Sequence, residues 1–364
     1  MTQRTITVLG GGNGGRTAAA EFGIAGHTVT LWEVPAFADG LAAIAASGRI
    51  EANGKIQGSA PVRVESDLAT AVAGSEAIFV VIPTNHQLTL AGLLAPHLRD
   101  GMNLVLMPGS LGSLAVAHFL TENGVSADVT VSEIAALPYA TRITGPTQVT
   151  VFGRRKIVSV GTFPAVHSDR VAAVLDDLYP GIEVMPNVLA AGLSNPNPTL
   201  HCLGVLMSAS RIEYSHGEFY YYEEGMTPHV CQAIEAIDAE RLAIGRALGI
   251  DLLSLRDTYA VMGYGPSGDT FWSVIRGVSA LTGIKGPMQI DSRYLTEDVP
   301  VGLTIYSQLG RQVGVAPVLM ESVIHLSGAL LGTDFAQDRR TAASCGIAGL
   351  DAPGLLEFVA TGRR

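Results

Sequence analysis

Near the amino terminus, Gly10-Gly11-Gly12-Asn13-Gly14-Gly15 has the composition of a loop that holds phosphate. It follows Ile6-Thr7-Val8-Leu9, a run suited to a buried strand. It leads into Arg16-Thr17-Ala18-Ala19-Ala20-Glu21-Phe22, which has helical character. Gly10, Gly12 and Gly15 have the G-x-G-x-x-G spacing in the strand-to-helix context the motif needs. The first glycine permits a tight turn, the second lets backbone approach a pyrophosphate, and the third packs the helix on its strand. Free N–H groups at the helix start, with Asn13 and Gly14 among them, would receive the phosphates. Thr28-Val29-Thr30-Leu31-Trp32 reads as the next strand and runs into Glu33, close to the spacing of an acid that takes ribose hydroxyls. A ligand-free glycine turn would explain the glycines alone. Strand, glycines, helix, strand and acid in that order point to a dinucleotide. Glu33 would repel a 2′-phosphate, and Val34-Pro35-Ala36 supply no cation to receive one, so NAD is favoured over NADP.

Two further segments carry side chains suited to proton transfer. In Ser194-Asn195-Pro196-Asn197-Pro198-Thr199-Leu200-His201, Asn197 and His201 are four apart and share a helix face. Gly204 continues that face and would leave space beside the imidazole. A helix starting with Asn197 as cap and Pro198 in its first turn would put His201 close to the positive helix end. A proton-transfer histidine and a core histidine beside an Asn-Pro turn fit this spacing equally. In Asp291-Ser292-Arg293-Tyr294-Leu295-Thr296-Glu297-Asp298, Arg293 could anchor a carboxylate and Asp298 could orient a histidine. An exposed turn with surface charges reads at least as well. Pro83 to Asn85, after an apolar strand, would meet the cofactor through backbone groups, whereas His86 reads first as a helix-start residue. Tyr220-Tyr221-Tyr222-Glu223-Glu224 is an aromatic and acidic cluster that fits a pocket wall or a packed connection.

The elements that must position these groups fall into two kinds. Up to about residue 186, apolar runs such as Ala77–Ile82, Asn103–Met107 and Val129–Val131 alternate with helix-length segments, which predicts βαβ units and a mostly parallel sheet. Arg49–Ile56 reads as a hairpin turning at Asn53-Gly54. Gln148–Phe152 and Lys156–Val160 read as a hairpin around Gly153-Arg154-Arg155. Beyond Pro186 no convincing strand is found. A helix capped by Thr227 and Pro228 runs to Gly249, with Val230, Ile234, Ile237, Ile244 and Leu248 on one side and Glu235, Asp238 and Arg241 on the other. The expected class is α/β: residues 1–186 form a Rossmann-like dinucleotide-binding domain and 187–364 an all-helical domain, with the substrate between them.

Composition narrows the function further. A net charge of −10 argues against nucleic acid. Mean hydropathy is high at +0.32, yet no apolar run approaches a membrane span. Cys202, Cys231 and Cys345 are odd in number and widely spaced, which suggests reduced thiols. With no signal peptide in view, the expected location is cytoplasmic. No histidine pair has metal-ligand spacing with a third ligand, so no metal is expected. A homodimer through the helical domain suits its size and apolarity.

The chain resembles the opine dehydrogenase family over nearly its whole length, in particular its bacterial N-(1-carboxyethyl)norvaline dehydrogenase branch. The resemblance rests on Val8-Leu9-Gly10-x-Gly12-Asn13-Gly14-Gly15, Pro108-Gly109, Gly145-Pro146 with Gln148-Val149-Thr150-Val151, and Asn195-x-Asn197 ahead of His201. It continues in Tyr221-Tyr222-x-Glu224-Gly225-x-Thr227-Pro228, Asp238-Ala239-Glu240-Arg241 and Arg293-Tyr294 with Glu297-Asp298-Val299. It implies reversible reductive condensation of an amino acid's amine with an α-keto acid such as pyruvate, using NADH. It also implies that His201 is the acid–base catalyst, Asp298 its partner, and Arg293 an anion-binding residue, with Asn197 beside the substrate. Close relatives have Pro after the catalytic histidine, where this chain has Cys202. A hydroxy-acid dehydrogenase of the ketopantoate reductase or glycerol-3-phosphate dehydrogenase type shares the two-domain plan but usually employs a lysine. Here Lys285 is the only lysine after Lys156. A non-catalytic NAD-binding sensor is the reading outside enzymes.

Overall fold

The computed structural model describes residues 2–336 and 340–363. They divide into two compact units, one running to Gly192 and taking in Val359–Gly362, the other spanning Leu193–Phe358.

The first unit is built on twelve strands. In chain order they are β1 (Thr5–Leu9), β2 (Thr28–Trp32), β3 (Arg49–Gly54), β4 (Gly58–Pro61), β5 (Arg63–Val64) and β6 (Ala77–Val80). β7 (Asn103–Leu106), β8 (Thr130–Ile134), β9 (Tyr139–Gly145), β10 (Gln148–Arg154), β11 (Ser159–Phe163) and β12 (Glu183–Val184) complete the set. Eight form the main sheet, in the order β12-β11-β8-β7-β6-β1-β2-β5. It is parallel except where β11 runs against β8. β1, β6 and β7 are buried on both faces because helices cover both sides of a parallel sheet. One face packs Ile6, Val8, Phe79 and Val105 against Ala18, Ala19 and Phe22 of the helix Asn13–Ile24. The other packs Leu9, Ile78, Val80 and Leu104 against Leu90 and Leu94. β1 lies between β2 and β6, so the strand order reverses there and opens a crevice at the strands' carboxyl ends, the place where such sheets take ligands.

Two hairpin expectations are corrected. Asn53 and Gly54 do not form a turn; they lie in β3, pair with Thr150 and Val151 of β10, and the chain reverses at residues 55–57. Gln148–Phe152 pairs with the strand before it, not the one after. β10 lies antiparallel to β9, so the reversal falls near Pro146-Thr147, and β11 departs to the main sheet. Apolar alternation gives strands but not partners, and the second sheet, β4-β3-β10-β9, is assembled from segments nearly a hundred residues apart.

The second unit is helical. Thr227 accepts from the N–H of Val230 and starts the helix Pro228–Ala247. Ile234, Ile237, Ile244 and Leu248 are buried on it as expected. The opposite side differs from a solvated face, because Asp238 and Arg241 are buried too. Arg241 donates to Asp238 and to the carbonyls of Leu193 and Leu253, while Asp238 accepts from the N–H of Leu255. The pair joins three segments of chain around the helix that leads to His201. No helix among the described residues is long and apolar enough to cross a membrane.

Candidate active site

The glycine loop sits at the end of β1. Gly10 has φ of +115°, and a β carbon there would lie 2.3 Å from the carbonyl oxygen of Val81. At Gly15 the corresponding distance to the carbonyl oxygen of Gly10 is 1.8 Å, so only glycine lets helix and loop pack this closely. Around Gly12 a β carbon would meet nothing within 4 Å, so this side of the loop is open to a ligand. The N–H of Gly10 is held by the Trp32 carbonyl, and Asn13 spends its Oδ1 on the N–H of Ile143 in β9. The donors Asn13 has for a phosphate are its Nδ2 and its backbone N–H. Gly14 packs beside Leu137 and Val81.

Glu33 lies under the loop. Its carboxylate accepts from the N–H groups of Gly11 at 2.7 Å and Val34 at 2.8 Å. Arg16, which sequence reasoning placed only as a helical residue, is buried below. It donates to the carbonyls of Gly11, Gly40 and Pro146, tying loop, helix start and second sheet together. Burial draws its guanidinium below the usual arginine range, against the pull of Glu33. A cavity of about 440 Å³ opens here, lined by Gly10, Gly12, Glu33, Pro83 and His86 among others. An open glycine edge, a carboxylate at the end of the second strand and the cavity beside them suit a dinucleotide. The Pro108–Leu111 loop at the next strand end is closed by buried Glu133, which accepts from Leu111 N–H, Ser113 N–H and the Ser113 hydroxyl. That helix start is thus occupied by the protein's own acid.

In the helical unit, the helix Asn197–Met207 has Pro196 in the cap position, so Asn197, expected as the cap, is instead its first residue, its N–H donating to Oδ1 of Asn195. His201 is in the second turn and only 8% exposed. Its Nδ1 is 2.8 Å from Asp298 Oδ2 and its Nε2 is 3.1 Å from the Tyr222 hydroxyl. The ring stacks on Tyr294 at 4.1 Å between centroids and 25° between planes. Asp298 lies almost a hundred residues downstream, just before the turn Val299–Leu303. Burial raises its carboxyl above the usual range, opposed by the bond to His201. Burial also lifts the Tyr222 phenol well above its ordinary value.

Gly204 was expected to leave space beside the imidazole. Instead its missing side chain makes room for the Tyr221 hydroxyl, which a β carbon would approach to 2.4 Å. That hydroxyl donates to the His201 carbonyl at 3.1 Å. Cys202 donates to the Tyr294 carbonyl at 3.5 Å, and burial pushes its thiol well up. A thiol directed at the backbone of the stacking residue is a packing contact, not a nucleophile. Arg293 lies one turn before Asp298 but is mostly exposed, with Nε bonded to Glu297 at 2.6 Å. Asn197 is half-buried on the His201 helix. Exposed Lys285 pairs with Glu218 and lies over the Tyr220 ring.

Tyr222 and Tyr294 were not singled out for roles by sequence reasoning, although both lay in quoted segments. Tyr221 to Gly225 forms a π-helical turn, so its side chains follow neither helix nor strand periodicity.

Comparison with known proteins matches the two parts of the chain to different family models. A family described as "NAD/NADP octopine/nopaline dehydrogenase, alpha-helical domain" matches residues 184–331. "NAD-dependent glycerol-3-phosphate dehydrogenase N-terminus" matches residues 5–109. A solved octopine dehydrogenase, in complex with NADH and agmatine, superposes with a TM-score of 0.76 at 17% identity, covering 100% of this chain and 99% of its own. Yersinopine dehydrogenase with NADP+ gives 0.72 at 15%, covering 98% of each. A ketopantoate reductase from Ralstonia eutropha JMP134 gives 0.57 at 18%, covering 90% of this chain and 99% of its own. At such identities these likenesses show the fold. Protein ocs of Agrobacterium tumefaciens (strain Ach5) is 27% identical, covering 95% of this chain and 96% of its own. An opine dehydrogenase of Arthrobacter sp. (strain 1C) is 34% identical over 362 residues, 99% of each chain. Similarity of that degree along both whole chains shows that this chain belongs to the opine dehydrogenase family.

Proposed function

We propose that His201 and Asp298 are the acid–base pair of an NADH-dependent opine dehydrogenase, which joins the amine of an amino acid to an α-keto acid. The observation that carries this reading is the buried imidazole with Asp298 on one nitrogen and a hydroxyl on the other. A carboxylate on Nδ1 fixes the tautomer and faces the charge that develops on the ring, leaving Nε2 as the nitrogen that exchanges a proton.

The open glycine loop, with the N–H groups at the start of the helix Asn13–Ile24, would hold the pyrophosphate of NADH, and Glu33 the adenosine ribose. Pro83 adds a backbone wall. When bound, NADH supplies the hydride that reduces the imine. The chain's own groups handle protons and orientation. Amine and keto acid lose water on forming the imine, and His201 gives a proton to the departing hydroxyl. Arg293, its Nε held by Glu297, presents its terminal nitrogens to a substrate carboxylate. Asn197, on the His201 face of its helix, offers a polar group to the same substrate.

Steady-state NADH oxidation with a keto acid alone, and with each amino acid added, tests the reaction. Turnover needs both partners; turnover with the keto acid alone would move the chain to the hydroxy-acid dehydrogenases. Starting from an ammonium substrate and ending at a secondary ammonium product, condensation consumes one proton per NADH, and oxidation returns it. The pH optimum of condensation is therefore expected to lie below that of oxidation, read from initial rates in both directions. Coincident optima would count against a single acid–base histidine.

Glu33→Ala is expected to raise the Kd for NADH about tenfold, close to 1.4 kcal/mol. It also narrows the preference for NADH over NADPH, because the repulsion of a 2′-phosphate is lost. Fluorescence titration of both cofactors reads the change, and an unaltered Kd would remove Glu33 from the ribose site. The reading carries with it a cytoplasmic location, supported by three buried free thiols, and a homodimer, supported by exposed Leu319, Leu326 and Leu330 on the helix Val318–Leu331.

A further inference from the structure

We propose that the Tyr222 hydroxyl is a proton relay, carrying the proton between Nε2 of His201 and the reacting substrate atom. The inference rests on the assignment of His201 as the acid–base group. Both ring nitrogens of His201 are engaged, Nδ1 by Asp298 at 2.8 Å and Nε2 by Tyr222 at 3.1 Å. The ring cannot readily turn to present Nε2 elsewhere. Tyr294 stacks on its face, and Tyr221 holds the backbone carbonyl of His201. A proton leaving Nε2 therefore meets the phenol oxygen first.

A hydroxyl suits that position because it both donates and accepts. It accepts from Nε2–H when the ring is protonated and donates to Nε2 when it is neutral. The local backbone produces this placement. In the π-helical turn Tyr221–Gly225, adjacent Tyr221 and Tyr222 rings meet edge to face at 84°, so one hydroxyl goes to the His201 carbonyl and the other to its ring. Tyr222 itself is only 6% exposed.

In the dehydration step, the Nε2–H bond breaks as that proton bonds to the phenol oxygen. The original phenol O–H bond breaks as its proton bonds to the departing hydroxyl, which leaves as water with the electron pair of the C–O bond. His201 ends neutral, Tyr222 ends un-ionised, and nothing is oxidised. The groups that face the phenol are the His201 ring and Tyr221, Tyr259 and Tyr294; of these only His201 becomes a cation, and it ceases to be one as it hands on its proton. Burial holds the phenol well above its ordinary range, which disfavours a phenolate between the two transfers.

Tyr222→Phe keeps the ring and removes the hydroxyl. Its kcat for condensation is expected to fall by at least tenfold, with KM for both substrates and the Kd for NADH within twofold. Single turnovers in mixtures of H₂O and D₂O change from a curved to a linear dependence on deuterium fraction, as one proton replaces two. Difluorotyrosine at position 222 leaves the packing intact and makes the phenol more acidic. It should retain turnover while its alkaline limb moves to lower pH, and it decides the matter if the Phe variant folds poorly. Wild-type kcat and pH profile in Tyr222→Phe, or an unmoved profile with difluorotyrosine, would overturn the relay. His201→Asn separates the two levels. A fully active His201→Asn enzyme overturns the acid–base assignment and the relay with it. An inactive one beside a fully active Tyr222→Phe overturns the relay alone.

Discussion

His201→Asn should lower kcat for reductive condensation by about 10³-fold, within the range that a positioned acid–base group contributes, while NADH binds as before. Asparagine is the informative replacement because its amide can still donate to Asp298. That matters here because Asp298 is largely shielded, and a carboxyl left without a donor would bring a folding defect into a kinetic measurement. The substitution deletes the ring nitrogen that faces Tyr222 and with it the exchangeable proton. The proposed NADH site, the loop of Gly10 to Gly15 with Glu33, is a different part of the chain, so NADH affinity supplies the internal control. Equal losses in kcat and kcat/KM would mark an interaction made only in the transition state. A rise in KM with kcat intact would instead make His201 a substrate-binding residue, and full activity would remove it from the mechanism.

The dinucleotide half of the molecule was legible in the sequence because its constraints are local. Gly10 has a positive φ and Gly15 packs on the Gly10 carbonyl, Gly12 stands where the loop is open, and Glu33 follows at the end of the next strand. The main sheet was legible for a similar reason, since apolar runs between helix-length segments leave few topologies open. The second sheet was not. β3 pairs with β10 across almost a hundred residues, and no short-range pattern selects that partner over the adjacent strand. At the candidate active site, His201 and Asp298 emerged only as two separate suggestions, each no stronger than a structural alternative. Their pairing is tertiary, and resemblance to a known family joined them. Tyr222 stayed hidden because a π-helical turn gives its side chains no recognisable period. Gly204 was misread for another reason: a missing side chain shows that space is needed, not what fills it.

The same limit explains Asp238 and Arg241, where helical periodicity placed two charges opposite an apolar stripe and the structure buries both. Arg241→Met is expected to cost about 3–5 kcal/mol, the range for breaking a buried ion pair from one side. The guanidinium donates to Asp238 at 2.8 Å and to the Leu193 and Leu253 carbonyls at 2.9 and 2.6 Å. Methionine fills much of the volume but supplies none of those donors. Asp238 is left with the Leu255 N–H as a buried anion, and two carbonyls lose partners. Replacing both members, Asp238→Leu with Arg241→Met, should recover part of the loss, because the stranded charge is gone and the groups left unpaired, two carbonyls and the Leu255 N–H, are neutral. A double-mutant cycle from urea unfolding isolates the coupling between the two. If Arg241→Met shifted the unfolding free energy by less than about 1 kcal/mol, as for exposed pairs, the pair would have no structural weight. The expected large coupling would instead give the Asp-Ala-Glu-Arg stretch a physical reason. Through the Leu193 carbonyl, Arg241 anchors the chain that enters the His201 helix, so a residue remote from the imidazole helps to set where the imidazole stands.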